Sequence, residues 1–135
     1  MKQKRKISAA ALHDLLIEAA ETDRRLPPAL RKASPTYWPE ITQEWLSYAS
    51  ETTQTRLSPA TAKQITDYDF VHEVVMSVNS QEDRQLLWAI ATSAAFRARG
   101  PMWTRVARAR KTNRRSLKNV YERVLLEASA RWNYS

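Results

Sequence analysis

Cysteine is absent from these 135 residues, glycine occurs once and histidine twice. Without cysteine there are no disulfide staples and no thiolate metal sites, which fits a reducing, cytoplasmic setting. A single glycine argues against the βαβ enzymes, whose phosphate loops and tight turns depend on that residue. His13 and His72 stand far apart with no ligand-like spacing around either, so neither a metal nor a cofactor is expected. Asp67 and Asp69 have no third carboxylate or histidine set with them as a metal-dependent nuclease requires, and the chain reads as a non-enzyme. No long apolar run is present either. The basic start, Lys2 to Lys6, leads straight into a mixed helical pattern containing Asp14 and Glu18, which excludes a signal peptide or membrane span as the natural reading.

What remains is rich in alanine, leucine, arginine and glutamate, the composition of an all-α protein with room for one core. Periodicity divides it into about six helices. Ser8 caps the first, which runs to about Thr22 with Ile7 as a hydrophobic staple, and Pro27 and Pro28 stop it. The second begins at Pro39 and carries Ile41, Trp45 and Leu46. After a loop ending in Ser58 as a cap and Pro59, a third spans Ala60 to Val78, with Ile65, Tyr68, Val71, Val75 and Val78 as its apolar stripe, widened by Phe70 and Val74. A fourth starts at Ser80 and carries Leu86, Leu87, Ile90, Ala91, Ala94 and Ala95, with Gly100-Pro101 ending it. A short fifth covers Met102 to about Ala109, and Arg110, Lys111 and Thr112 form a tight turn. The sixth is capped by Asn113 and runs toward Trp132, with Leu117, Val120, Tyr121, Val124, Leu125 and Ala128 buried.

Charge is distributed very unevenly along this framework. Between Arg97 and Arg123 there are ten basic residues and one acid, Glu122, whereas Ile7 to Phe96 carries seven basic and twelve acidic residues. A chain of net charge +8 with its positive residues gathered in one block and a basic tail is built to meet a polyanion with one face. The last three helices have the proportions of a tri-helical helix-turn-helix unit: a long support helix, a short helix, a turn of about four residues and a capped recognition helix. On the recognition helix Arg114, Arg115, Lys118 and Asn119 are the candidate readers of DNA bases, since arginine grips guanine and asparagine grips adenine bidentately. Arg105, Arg108, Arg110, Lys111 and Arg123 suit phosphate contacts, with Thr112, Asn113 and Ser116 adding short hydrogen bonds. The aromatic residues Trp103, Tyr121, Trp88 and Phe70 are assigned to packing, and the two histidines to the surface or its boundary. Tyr37, Trp38, Trp45 and Tyr48 cluster near the second helix as a candidate partner-binding patch.

The organisation that follows is a basic flexible tail over 1–7, an N-terminal helical region over 8–57 with a partner or dimer surface, and a DNA-binding region over 58–135. Two stretches, LIEAAETDRRLPP followed by YWPEI, and the run from Glu82 through WTRVARARKTNRRSLKNVYERVLLEASARWN, carry a resemblance. They resemble an uncharacterised family of small phage, prophage and alphaproteobacterial proteins that end in a helix-turn-helix related to the promoter-reading domain of sigma factors. The resemblance implies a DNA-binding role in transcription or phage biology and brings no established activity with it. It sets Lys111 where that family has a turn glycine, Asn113 at its cap serine, Arg114 at its arginine and Ser116 at its threonine. A lysine held in the left-handed conformation costs on the order of 1 kcal/mol relative to glycine, which a phosphate contact would offset.

The expected function is sequence-specific binding of double-stranded DNA by a homodimer acting in transcriptional regulation. Two alternatives stand beside it: a phage small-terminase-like DNA recognition subunit, and an adaptor that uses the basic face to grip an acidic surface of RNA polymerase or a sigma factor.

Overall fold

The computed structural model describes residues 5–26 and 58–134, and within them the protein is all-helical. Five helices are present: α1 (Ala9–Arg25), α2 (Ala62–Met76), α3 (Gln81–Ala94), α4 (Trp103–Ala109) and α5 (Arg114–Tyr134). The helix expected from Pro39, and with it Tyr37, Trp38, Trp45 and Tyr48, lies outside the described residues. No helix among the described residues is long and apolar enough to cross a membrane.

Local chemistry accounts for most helix boundaries. Ser8 Oγ accepts the Ala11 N–H at 3.2 Å, and Ile7 and Leu12 are both buried across that cap. The helix runs past Thr22 to Arg25, because Thr22 and Asp23 are buried and hydrogen-bonded rather than solvated. Thr22 Oγ1 donates to the Glu18 carbonyl, and Asp23 Oδ1 accepts the Tyr68 hydroxyl at 2.6 Å. Arg24 and Arg25 then fill the last turn, where cations suit the helix dipole.

The cap of α2 is Thr61, not Ser58. Thr61 Oγ1 accepts the Gln64 N–H at 3.2 Å while Gln64 Oε1 accepts the Thr61 N–H at 2.8 Å, a reciprocal box that Ser58 cannot form. The apolar stripe is also rotated from its expected line. Its centre passes through Asp67, Val71, Val74 and Val78, which leaves Ile65 40% exposed near the helix start instead of buried. Asp67 is the unexpected member of that line; Arg5 reaches it at 3.0 Å.

Helix α3 is the centre of the molecule. Every residue from Leu86 to Ala95 is buried, the pattern of a helix with neighbours on all sides. Ser80 caps it, and it ends at Ala94, well before Gly100-Pro101. The earlier stop has a tertiary cause: Phe96 adopts φ 60° and donates its N–H to Glu21 Oε2 of α1 at 2.8 Å, with the Arg25 guanidinium 5.3 Å from its ring centroid. A left-handed phenylalanine is strained, and this contact holds it there.

Helices α1, α2, α4 and α5 pack around α3 and contribute to a single hydrophobic cluster, so α1 shares one core with everything after residue 58. Each leucine-sized side chain fully removed from water there contributes about 1.5–3 kcal/mol. At the edge of the core the residues before α1 are fastened to the C-terminal half of α5. Ser129 Oγ and Asn133 Nδ2 both donate to the Ile7 carbonyl, and Trp132 Nε1 donates to the Arg5 carbonyl at 2.7 Å. The Arg5 guanidinium also lies 4.3 Å from the Phe70 ring centroid. Of the basic tail, Arg5 and Ile7 are therefore anchored parts of the fold.

Candidate nucleic-acid interface

The basic block is organised by the turn between α4 and α5. Lys111 adopts φ 57°, the left-handed conformation. Two hydrogen bonds close α4 around it: the Thr112 N–H donates to the Ala107 carbonyl at 2.9 Å, and the Lys111 N–H to the Arg108 carbonyl at 3.1 Å. This paired arrangement satisfies the last carbonyls of the helix and normally places glycine at the left-handed position. Lysine does the same work here with a strained backbone, so the turn keeps its shape without glycine.

Asn113 starts the next helix. Its Oδ1 accepts the Ser116 N–H at 2.8 Å and its carbonyl accepts the Leu117 N–H at 3.0 Å, which leaves the N–H groups of Arg114 and Arg115 at the open end of α5. The start of α4 is fixed from α3. Ser93 Oγ, buried in α3, donates to the Ile90 carbonyl and accepts the Met102 N–H at 3.1 Å. Val106 and Ala107 of α4 and Leu117, Tyr121 and Val124 of α5 then close onto the core.

With those side chains committed inward, Arg105, Arg108, Lys111, Thr112, Asn113, Arg114, Arg115, Ser116, Asn119 and Arg123 are exposed and Arg110 is half-buried. The segment 108–116 holds five cations and no acid. None of the five forms an ion pair within the described residues. Arg108 in the last turn of α4 suits the dipole of that helix. Arg114 and Arg115 do the opposite, since they occupy the first turn of α5, where positive charge opposes the helix dipole and costs about 0.3–1 kcal/mol each. Folding alone would favour acids at those two positions.

Two of the expected site residues, and one residue expected in the core, sit differently from that reading. Lys118 is half-buried, its ammonium 5.4 Å from the centroid of the Trp103 ring. Such a contact is worth about 0.5–1 kcal/mol, little enough for the side chain to swing outward when an anion is near. Arg123 is 4.0 Å from the Glu127 carboxylate one turn on, an exposed pair that weakly restrains it. Val120, expected in the core, is 37% exposed. A step of three residues falls short of a full helical turn, and the buried line, drifting toward Tyr121 and Leu125, leaves Val120 on its trailing edge.

Sequence spacing marks the histidines as ordinary surface or boundary residues, but His13 belongs to the support of this face. Its Nδ1 lies 2.7 Å from the Tyr121 hydroxyl, and the Tyr121 ring meets those of His13 and Trp103 edge-on at 5.6 and 5.4 Å. Burial, and secondarily the Asp14 carboxylate, push the Tyr121 phenol above its ordinary range, so it stays protonated. Helix α1 is thereby tied to the inner side of α5 directly beneath Lys118. The signal in the sequence was slight, a histidine one position off the apolar stripe of α1.

The span from Arg24 to Glu127 matches a family model described as a domain of unknown function, DUF6362. The chain belongs to that family. The matched region contains the turn at Lys111 and the exposed cations on both sides of it, while most of α1 and the fastening of residues 5–7 to α5 lie outside it. No curated protein and no solved structure matches the chain.

Proposed function

We propose that this DUF6362 protein binds double-stranded DNA sequence-specifically, with α3, α4 and α5 acting as a helix-turn-helix unit and α5 entering the major groove. The observation that carries the reading is the coincidence of Lys111 in a left-handed turn with five cations over 108–116 that have no ion-pair partner among the described residues, two of them placed against the dipole of their own helix. Charge that costs stability in the free protein is understandable where a polyanion is to arrive. An α-helix fits the major groove, and its first turns reach base edges.

In this reading Arg114, Arg115 and Asn119 face the bases, and Lys118 joins them after leaving Trp103. Arg105, Arg108, Arg110, Lys111 and Arg123, with Thr112, Asn113 and Ser116, position the duplex through its phosphates. Phosphate also suits the open N–H groups at the start of α5. Transcriptional regulation is the proposed role, and two half-sites would call for two copies of the chain.

Selection of bound sequences from random duplex, followed by titration of the selected site, tests the reading. An enriched motif is expected, with affinity falling steeply as salt rises. The Arg114→Ala, Arg115→Ala double variant binding that motif as tightly as the parent at moderate salt would refute the recognition role of α5. Light scattering of the free protein tests the two-copy arrangement, and a monomer mass speaks against it.

A further inference from the structure

A pocket of about 450 Å³ opens between the start of α1, the start of α4 and the middle of α5, within the size range of small-molecule sites. Its walls are preformed. Tyr121, held by His13 and packed edge-on against Trp103, fixes the inner side, and Ala10 of α1 leaves room opposite. At the rim Leu126 is 63% exposed, a large apolar side chain facing solvent beside an aromatic ring. Lys118 and Glu122, one helical turn apart on α5, supply the charged lining. Among the described residues Lys118 has no ion-pair partner, and its ammonium is met by the Trp103 ring.

From this lining we infer that the pocket binds a small aromatic carboxylate, and that its occupant controls whether Lys118 is available to DNA. A planar ring covers the apolar surface of Trp103 and Leu126 that water now wets. The carboxylate pairs with the Lys118 ammonium, a stronger counter-charge than a ring face, in a partly desolvated setting where the pair gains strength. The Glu122 carboxylate accepts a hydrogen bond from a ring N–H or hydroxyl, which selects aromatic acids carrying such a donor. Neither a plain hydrocarbon nor a cationic amine satisfies both groups. The regulatory half rests on the proposed DNA reading, since Lys118 is one of its readers; the binding half does not.

Calorimetry on the full chain with indole-3-acetate as the probe separates the two halves. Binding with a dissociation constant of about 1 mM or below is expected for a ligand of this size. The neutral analogue indole-3-acetamide and the Lys118→Gln variant should each weaken it about tenfold or more, as loss of a partly buried charge pair does. Ala10→Trp, a change at an exposed position that fills the pocket, should abolish it. No heat of binding at millimolar probe, equal affinity for acid and amide, or undiminished binding in Ala10→Trp overturns the site. On the selected duplex, saturating indole-3-acetate should lower the affinity of the parent about threefold or more and leave Lys118→Gln unaffected. Unchanged duplex affinity with the pocket filled overturns the control of Lys118. Absence of any duplex binding counts against the DNA reading, and calorimetry alone then decides the pocket.

Discussion

Ile7 and Asn133 are 126 residues apart and exchange two hydrogen bonds, the Ile7 N–H donating to Asn133 Oδ1 at 2.9 Å and Asn133 Nδ2 donating to the Ile7 carbonyl at 2.8 Å. One amide side chain thus satisfies both backbone groups of a buried residue, as a neighbouring strand would. Asn133→Ala leaves the Ile7 N–H without this partner, while Ser129 Oγ still serves the carbonyl. The expected loss is about 1–3 kcal/mol in urea unfolding, the cost of a buried donor left unmet. Duplex affinity should be unchanged, because the clasp is at the far end of α5 from Arg114. A stability change within about 0.5 kcal/mol, the scatter for exposed positions, would mean the clasp is open in solution.

Lys111 gives a prediction of the opposite sign. At φ 57° an L-residue is strained by about 1–2 kcal/mol, and glycine is not. Lys111→Gly should therefore raise stability by about 0.5–1 kcal/mol after allowing for the greater freedom of glycine in the unfolded chain. If Lys111 also contacts a phosphate, the same variant loses about one unit of the salt slope of duplex binding. The two readouts, denaturant midpoint and salt slope, should move in opposite senses in one protein.

The features legible in the sequence were those whose cause is local. Ser8, Ser80 and Asn113 cap helices by reaching three residues along their own chain, and Lys111 closes a turn set by the hydrogen bonds of α4. Thr61 was legible too, since Gln64 completes its box, but Ser58-Pro59 offered a competing start. What the sequence hid is set by distant partners. Nothing local to Asp67 marks it for burial beside Arg5, and nothing local to Phe96 shows that Glu21 of α1 accepts its N–H where α3 ends. Val120 and Ile65 show a different limit: both sit at helical spacing from buried residues, and only the direction of neighbouring helices decides which edge of a stripe is covered. For the candidate interface, residue type and charge were readable, but the folding of Lys118 onto Trp103 was not.

Arg114 and Arg115 separate stability from binding. Replacing both with alanine removes two cations from the positive end of α5, where they oppose the helix dipole. The double variant should be as stable as the parent or more stable, by up to about 1 kcal/mol at low salt. Its affinity for the selected duplex should nonetheless fall by about 1–3 kcal/mol for each base that an arginine no longer grips. A variant that loses binding and stability together would place these arginines in the fold rather than at the interface.

Tyr121 provides a test in alkali. Burial, with the Asp14 carboxylate as the lesser cause, keeps its phenol protonated in the folded protein above the ordinary tyrosine pKa of about 10. The folded state therefore holds a proton that the unfolded chain gives up once pH passes the unfolded value. By linkage the contribution of Tyr121 is fully present below about pH 10 and declines as pH rises from there toward the higher folded value. Tyr121→Phe keeps the packing against Trp103 and removes the ionisable group. It should lose about 1 kcal/mol at neutral pH, through the broken hydrogen bond to His13. Above pH 10 its stability should decline less steeply than that of the parent. Urea midpoints at pH 7 and across the alkaline range check this, and parallel curves for the two proteins would show that Tyr121 does not ionise with the unfolding step.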